Sequence, residues 1–252
     1  MPGHIFRTLQ YELQAWADRE AISRSDLFRI ESMLRTAVSG QQQFRRSNQR
    51  PELYMSDLRA EAWWDPKEFE WTSLIEEYAK EIIHECKQTR LVHSLRLHPE
   101  DDLVVAGNWE ILSLFTFGQK HDAHCDLLPR TVRLIEKIPT ATQACFVYFS
   151  SLAPRTTISP HCGPTNCRLR CHVGLAIPPN CYIRVGGEER TWSAGKCIIF
   201  DDSFEHEVRN ASEARRDVLI VDFWHPELTL VERSALQYIT RWLTDKKIIK
   251  ER

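Results

Sequence analysis

The sequence lacks an apolar run of the roughly 18 residues that would indicate a membrane-spanning helix. It also lacks an excess of charge of one sign, because 33 Lys and Arg residues oppose 35 Asp and Glu residues, giving a formal net charge of −2. No overall basic field is therefore available to attract nucleic acid. Internal repeats and low-complexity segments are absent as well. We expect a globular protein with no nucleic-acid partner and no spanning segment.

The first twenty residues lack the apolar core of a signal peptide. The eight cysteines lack the spacing of a small disulfide-rich scaffold. We therefore expect a soluble protein of a reducing compartment such as the cytoplasm. Half of the cysteines do cluster with two histidines, in the stretch that contains His161, Cys162, Cys167, Cys171, His172 and Cys181. Their spacing is not that of paired CxxC zinc motifs, but a zinc-stabilised interaction domain stays open as an alternative.

Helical periodicity is present at the N-terminal end of the sequence. Residues 1–40 predict two helices, with Ser25 as the N-cap of the second. Residues 40–50 are polar and aperiodic, which predicts a linker. We therefore divide the chain into a helical N-terminal extension, 1–50, and a main domain, 51–252.

Short strand-like runs follow one another through the second half of the chain, with turn residues between them. They span 109–117, 145–152, 168–177, 181–185, 190–192, 196–200, 204–208 and 217–224. A capping box at Thr229 and Glu232 then opens a last helix. Many short strands after a helical start indicate an antiparallel sandwich or a closed roll.

The run RLRCHVGLAI alternates strictly between two kinds of residue. One face carries Arg168, Arg170, His172, Gly174 and Ala176, and the other carries Leu169, Cys171, Val173, Leu175 and Ile177. A half-buried strand normally keeps its charges on the solvent face. Because candidate metal ligands flank this run, the charged face instead suggests a pocket that holds anions.

Two histidines stand on either side of that run, each beside a turn-forming segment. A non-heme Fe(II) oxygenase supplies two histidines and one carboxylate to the metal. The carboxylate usually lies two residues after the first histidine, and Gly163 occupies that position after His161. Either water or a more distant carboxylate such as Asp202 fills the third position beside His161 and His206, or the site does not bind iron.

Two arginines favour the first of these interpretations. A carboxylate-bearing co-substrate needs a bidentate guanidinium on a rigid strand. Arg170 lies in the predicted strand 168–177, and Arg216 directly precedes the predicted strand 217–224. The alternative for each is an ordinary surface charge. Ser150, in the predicted strand 145–152, could donate a second hydrogen bond to the same carboxylate.

Three long motifs now carry a resemblance: HCGPTNCRLRCHVGLAIP, GKCIIFDDSFEHEV and VDFWHPELT. They resemble the aspartyl/asparaginyl β-hydroxylase family, and the similarity extends from about Tyr54 to Leu236. The resemblance implies a mainly β fold with a double-stranded β-helix (jelly-roll, cupin-like) core, flanked by N-terminal helices and a C-terminal helix. It further implies an oxygenase that uses Fe(II), 2-oxoglutarate and O2.

The same resemblance implies a role for each candidate residue. His161 and His206 match the iron ligands, and Asp202 matches the acidic group that holds water at the third position. Contacts to 2-oxoglutarate are implied for Ser150, Arg170, His172 and Arg216, with Trp109 and the backbone near Cys171 lining the same site. Arg168 resembles a residue that meets the acidic side chain of the substrate, although a solvated rim arginine is the alternative.

The expected substrate is a small molecule, peptide or protein with an acidic or amide side chain, hydroxylated on its β-carbon. Other family members act on free or carrier-bound aspartate, or on lipid acyl chains, so these substrates stay open. A catalytically silent jelly-roll binding module is the alternative from another class of protein.

Overall fold

The computed structural model describes residues 3–88 and 95–249. Its helices are α1 (Gly3–Arg19), α2 (Phe28–Ser39), α3 (Glu70–Glu77), α4 (Ala79–Gln88), α5 (Asp122–Cys125), α6 (Pro129–Ile135) and α7 (Leu230–Asp245). Its strands are β1 (Trp63–Trp64), β2 (Arg96–Leu97), β3 (Val104–Ala106), β4 (Trp109–Thr116), β5 (Gln119–Lys120), β6 (Phe146–Leu152), β7 (Thr156–His161), β8 (Arg168–Ala176), β9 (Cys181–Val185), β10 (Glu188–Arg190), β11 (Cys197–Phe200), β12 (His206–Asn210) and β13 (Arg216–Trp224).

Within these described residues the strands form two antiparallel sheets that face each other. The larger sheet has the order β1-β11-β8-β13-β6-β4-β2, with β5 paired to β4. The smaller has the order β10-β9-β12-β7-β3. Apolar side chains from both sheets meet in a core that includes Ile158, Ile183, Val208 and Val218. This is the predicted jelly-roll, cupin-like sandwich, with helices at both ends of the chain.

Strand β8 is buried on both faces, and its alternation is confirmed. Leu169, Cys171 and Val173 point away from the smaller sheet into a core that they share with Ile75 of α3 and Ile135 of α6. The charged face of β8 points the other way, into the sandwich. The two arginines of this strand are therefore interior, because helices cover the apolar face that would otherwise meet solvent.

A third apolar core joins the two ends of the chain. Helices α1, α2 and α7 pack together and enclose Met55, Leu58, Cys167 and Trp224 from the main domain. The predicted division at residue 50 stays a prediction, but the two parts share this core. The capping box of Thr229 and Glu232 at the start of α7 is confirmed.

The last three residues of the predicted linker, 40–50, belong instead to a strap, residues 48–53, which is bound to two loops of the sandwich. The Glu205 amide donates to the carbonyl of Asn48 at 2.6 Å, and the Leu53 amide donates to the carbonyl of Pro164 at 2.9 Å. Gln49 is fully buried. The segment looked like a linker because its residues are polar. These polar groups bond to other loops of the protein, and the spacing of residues in the sequence does not show such partners.

Two local predictions are corrected. Ser25 does not cap α2, because a short 3₁₀ turn capped by Ser23 precedes the helix and α2 starts at Phe28. The segment KHDAHCDLLPR (120–130), whose lack of a period predicts a loop between the first two strands, contains α5 and the start of α6, which begins with Pro129 at a favourable first helical position. Both helices are too short to show an apolar period.

Candidate active site

The two candidate iron ligands lie side by side at the edge of the smaller sheet. His161 ends β7, His206 begins β12, and the two residues are direct partners in the antiparallel ladder. Their ring centroids are 4.1 Å apart at an interplanar angle of 51°. Strand pairing thus brings together two residues that are 45 positions apart in the sequence.

Both rings have the same hydrogen-bonding pattern. The Nδ1 atom of His161 lies 2.8 Å from the carbonyl oxygen of Ser159, and Nδ1 of His206 lies 2.9 Å from that of Phe204. A carbonyl oxygen only accepts, so each Nδ1 must carry the proton. Each Nε2 then keeps its lone pair, as a metal ligand requires.

The pKa values of both rings favour this neutral form. Burial lowers the pKa of His161. Burial and the neighbouring His161 lower the pKa of His206 to about 3. At neutral pH the pair therefore presents two unprotonated nitrogens and need not release protons to bind a divalent metal.

The missing carboxylate at position 163 has a steric explanation. A Cβ atom on Gly163 would lie 2.7 Å from Cγ of Asp202 and 2.8 Å from each of its carboxylate oxygens. Asp202 thus occupies the space that a side chain at 163 would need. Its Oδ1 has no hydrogen-bond partner among the described residues, so a polar atom is left to hold water beside the histidine pair. These residues fit a metal held by two histidines and water.

Arg170 and Arg168 are both tied to buried aspartates. Nε and Nη2 of Arg170 donate to the two oxygens of Asp222 at 2.8 and 3.0 Å, and its Nη1 lies 3.2 Å from Asp202 Oδ2. Nη2 of Arg168 donates to the same Asp202 oxygen at 3.1 Å. Burial alone would raise the pKa of Asp202, but the two arginines hold it below its ordinary value.

This geometry is inconsistent with the surface-charge alternatives for Arg168 and Arg170, and their assignment to substrate and co-substrate stays a prediction. Arg168 is only 2% exposed, so it is not a solvated rim arginine. Arg170 is not a surface charge either, but its planar fork is already bonded to Asp222 and is not a free clamp for a co-substrate. Arg170 is paired because Asp222 of β13 lies opposite it in the sheet, and this aspartate was not among the residues singled out from the sequence.

A different arginine is the free one. We name the inner chamber as Tyr148, Ser150, His172, Trp192 and Arg216, which lie between the two sheets on the inner face of β6, β8 and β13 and the loop after β10. Four donor atoms there are buried and have no partner among the described residues. They are Nε and Nη1 of Arg216, Nε2 of His172 and the hydroxyl of Tyr148. Unsatisfied buried donors indicate a binding site for an anion with several oxygen atoms.

Trp109 and Ser150 are joined to each other in the same region. The indole N–H of Trp109 donates to Oγ of Ser150 at 3.0 Å. The Ser150 hydroxyl therefore accepts from Trp109 and still has its own proton to donate to a ligand. Trp109 orients this serine rather than offering its N–H to a bound molecule.

Cys171 is not part of the chamber by its side chain. It lies on the opposite, helix-covered face of β8, and its backbone is in register with Ile199 on one side and Val221 on the other. The expectation concerned the backbone near Cys171, and it stays a prediction. All eight cysteines lie in the described part of the chain and are free thiols. Among the residues described, no three His, Cys, Asp or Glu side chains group closely enough to form a metal site, so the zinc alternative gains no support.

Four contributors were missed at the sequence level: Tyr148, Trp192, Asp222 and Gln49. The first and third could have been found, because Tyr148 has the parity of Ser150 on β6 and Asp222 has the parity of Arg216 on β13. Trp192 and Gln49 lie outside strands. Gln49 donates to Asp201 Oδ2 and to Ser203 Oγ, both at 3.0 Å, and so ties the strap to the loop before His206.

A cavity of about 540 Å³ opens beside this site. Arg168, Gly163, Cys145 and Phe146 form part of its lining, and α7 contributes Leu243. The volume is within the range of roughly 300–1,000 Å³ that is usual for ligand pockets. Arg168 therefore lies between the paired aspartates and a space large enough for a substrate side chain.

The fold and the site define a class: a jelly-roll protein with a two-histidine candidate metal site next to an anion-binding chamber. The model of the family "Aspartyl/Asparaginyl beta-hydroxylase" matches residues 68–226. The chain is 38% identical over 198 residues to human aspartyl/asparaginyl beta-hydroxylase, a match that covers 76% of this chain and 26% of the relative. It is 41% identical over 143 residues to aspartate beta-hydroxylase domain-containing protein 2 of Xenopus tropicalis, covering 53% and 38%. The chain belongs to the aspartyl/asparaginyl β-hydroxylase family.

The match to these relatives covers only part of their length, and the similarity to solved structures is low. The matched region is only about a quarter of the human relative's length, at 26%. Among solved structures, a Pseudomonas putida prolyl-4-hydroxylase is 15% identical with a TM-score of 0.40, covering 60% of this chain and 87% of that one. A predicted oxalate decarboxylase of Thermotoga maritima is 12% identical with a TM-score of 0.35, covering 52% and 91%. Within the described residues, none of the helices has the length and apolar character to cross a membrane.

Proposed function

We propose that this protein is an Fe(II)- and 2-oxoglutarate-dependent dioxygenase that hydroxylates the β-carbon of an aspartyl or asparaginyl substrate. The observation that carries the proposal is the pairing of two kinds of site. Two neutral histidines present free Nε2 atoms, and the adjacent chamber holds four buried donors without partners. Such a combination suits a metal together with an oxygen-rich dianion.

His161 and His206 would hold the metal, and Asp202 would accept a hydrogen bond from water beside it. Bound Fe(II) would supply the activation of O2 that couples decarboxylation of 2-oxoglutarate to hydroxylation. Arg216 and Ser150 would bind the far carboxylate of 2-oxoglutarate through N–H and O–H donors. His172 would donate its Nε2–H to the same co-substrate. Arg170 would act indirectly, because Asp222 already binds its fork.

The buried charges support an acidic substrate. Arg168, Arg170 and Arg216 oppose Asp202 and Asp222, so three positive charges against two negative ones leave a net charge of +1. Asp201 does not change this count at neutral pH, because burial raises its pKa to about 8. Fe(II) and the 2-oxoglutarate dianion cancel each other. One positive charge then remains, and an aspartate side chain would neutralise it where asparagine would not.

Arg168 is the group that would meet the substrate. It lines the 540 Å³ cavity and lies on the side of the chamber nearest Gly163 and Asp202. Its Nε has no hydrogen-bond partner among the described residues, although Asp222 Oδ2 is 3.5 Å away. A carboxylate in the cavity could therefore bind this guanidinium without displacing Asp202.

The test combines two measurements on one sample. The protein is incubated with Fe(II), 2-oxoglutarate and either free aspartate or matched peptides that contain Asp or Asn. Succinate is followed by NMR, and addition of one oxygen atom is followed by mass spectrometry. We expect both signals together, stronger with Asp than with Asn, and neither in His206→Ala. Succinate without hydroxylation would contradict the substrate class. No succinate at all would contradict the dioxygenase and favour a silent binding module.

A further inference from the structure

Trp192 lies in the loop after β10 and contacts two members of the inner chamber. Its indole N–H donates to Nδ1 of His172 at 3.2 Å, and the planes of the two rings are nearly parallel, at 12°. The hydrogen bond directs the N–H toward the lone pair of Nδ1. Phe200 packs against the face of the same imidazole with a centroid distance of 4.9 Å and an angle of 82°. The hydrogen bond therefore fixes the orientation of the His172 ring within its plane, and Phe200 fixes the position of its face.

The hydrogen bond from Trp192 determines which nitrogen of His172 carries the proton. Burial, followed by Arg216 and Arg170, lowers the pKa of His172 well below its ordinary value, so the ring is neutral. A neutral ring has one proton, and Nδ1 must be unprotonated to accept from the indole. The proton therefore lies on Nε2, the atom without a partner among the described residues. In the opposite tautomer, Nε2 would present a lone pair to an incoming carboxylate.

The same indole also lies against the co-substrate arginine. The Cζ atom of Arg216 is 5.0 Å from the ring centroid of Trp192. A guanidinium over an aromatic face is attracted to it, and the planar face limits where the fork can point. One side chain thus orients two of the chamber's donors.

The backbone is shaped to bring Trp192 to this place. Gly174 is two residues beyond His172 on β8, and a Cβ atom there would lie 2.3 Å from the carbonyl oxygen of Ser193. The Gly195 amide donates to the carbonyl of Gly174 at 2.8 Å. Only glycine at 174 allows the loop to approach β8 so closely, and this approach brings Trp192 into contact with His172.

We propose that Trp192 is a positioning residue that holds His172 as an N–H donor and supports Arg216 for binding an oxygen-rich anion. The ligand class rests on the proposed function, namely 2-oxoglutarate. The orientation of the ring rests on the contacts alone. Trp192 keeps no donor for the bound molecule, because its N–H is already given to His172.

The first test needs neither metal nor turnover. Metal-free protein with ¹⁵N-labelled histidine is compared by NMR as wild type and as Trp192→Phe, with His172 assigned from the His172→Gln variant. Phenylalanine keeps an aromatic face but has no N–H. We expect a protonated Nε2 in the wild type and a shift of the proton toward Nδ1 in Trp192→Phe. An unchanged His172 tautomer in the variant would overturn the proposal.

The second test measures 2-oxoglutarate affinity by calorimetry on metal-loaded protein in a double-mutant cycle. Trp192→Phe should weaken binding by about three- to tenfold, the effect of losing one hydrogen bond. In the His172→Gln background, Trp192→Phe should cause a smaller loss of 2-oxoglutarate affinity, limited to the part that acts through Arg216. The reason is that a glutamine amide can donate without help from Trp192. Trp242→Phe on α7, remote from the chamber, is the matched control and should bind as the wild type does.

The two results separate the inference from the function on which it rests. If wild-type protein binds no 2-oxoglutarate, the proposed function fails, and the NMR comparison still decides whether Trp192 sets the tautomer. An equal loss of affinity in both backgrounds would show that Trp192 does not act through His172, and would overturn the proposal.

Discussion

Arg170 and Arg216 are buried on the inner face of the same sheet, but their surroundings are opposite. Arg170 is bound by Asp222 and Asp202. Burial lowers the pKa of Arg170, but the two aspartates raise it well above its ordinary value. Among the described residues Arg216 has no such partner, and burial lowers its pKa to about 10. The charge of Arg170 is compensated by aspartates, whereas the charge of Arg216 is not.

This difference separates scaffold from binding site. An unpaired buried charge is unfavourable, so it persists where something other than the protein's own stability requires it. The ion pairs of Arg168 and Arg170 with Asp202 and Asp222 hold Asp202 beside His161 and His206, the proposed metal ligands. The region around Arg216 is left without compensating charge, which a dianion would provide.

The largest effect should come from the metal-binding pair. His206→Ala removes one of two protein ligands, so we expect complete loss of 2-oxoglutarate turnover. The fold should persist because β12 keeps its ladder with β7 and β9. Succinate release and far-ultraviolet circular dichroism measure the two properties. Near-normal succinate production would rule out this metal assignment.

Asp222→Asn tests Arg170, the arginine whose charge is compensated. The change leaves the buried Arg170 without its bidentate partner, and breaking a buried ion pair typically costs about 3–5 kcal/mol of unfolding free energy. Urea unfolding measures the loss. The exposed pair of Arg155 and Glu213 provides the matched control, since Glu213→Gln should change stability by at most about 1 kcal/mol. Equal effects of the two changes would show that Arg170 does not depend on Asp222.

Arg168→Ala distinguishes substrate binding from co-substrate binding. We expect substrate hydroxylation to fall strongly, because the cavity loses its cationic wall. Succinate release in the absence of substrate should stay close to that of the wild type. Hydroxylation by mass shift and succinate by NMR are measured on one sample. A parallel fall of both would place Arg168 in support of the co-substrate site.

A further prediction concerns Asp201, whose pKa burial raises from 3.8 to about 8. A raised folded-state pKa means that the folded protein holds a proton that the unfolded chain releases. The resulting stability is complete below about pH 4 and is lost as the pH rises through about 8. Asp201→Asn stays neutral, so its unfolding free energy relative to wild type should increase from pH 5 to pH 8.5. A constant difference in urea unfolding would contradict this assignment.

Much of this arrangement was predictable from the sequence. The alternation of β8 correctly placed Arg168, Arg170 and His172 on one buried face, and the two-sheet architecture is the predicted jelly-roll sandwich. What strand periodicity does not supply is the pairing across strands. Whether Arg170 or Arg216 is free depends on Asp222, which reaches Arg170 through the register of β8 and β13.

The remaining surprises involve segments without a period. The strap looked like a linker because Gln49 and Asn48 are polar, and their partners are loop groups far along the chain. Trp192 lies in a turn whose approach to β8 depends on Gly174. In both cases the local sequence pattern does not predict the contact, because tertiary packing alone brings the two partners together.

The most direct measurement compares Arg216→Met with wild type in two assays, thermal unfolding of the metal-free protein and calorimetric binding of 2-oxoglutarate to the metal-loaded protein. Removing an unpaired buried charge should leave the metal-free protein at least as stable as wild type, while 2-oxoglutarate binding is lost. Arg216→Lys, which keeps the charge without the planar fork, should weaken binding by about tenfold or more. Unchanged affinity in Arg216→Met, or a large loss of stability without loss of binding, would contradict the account.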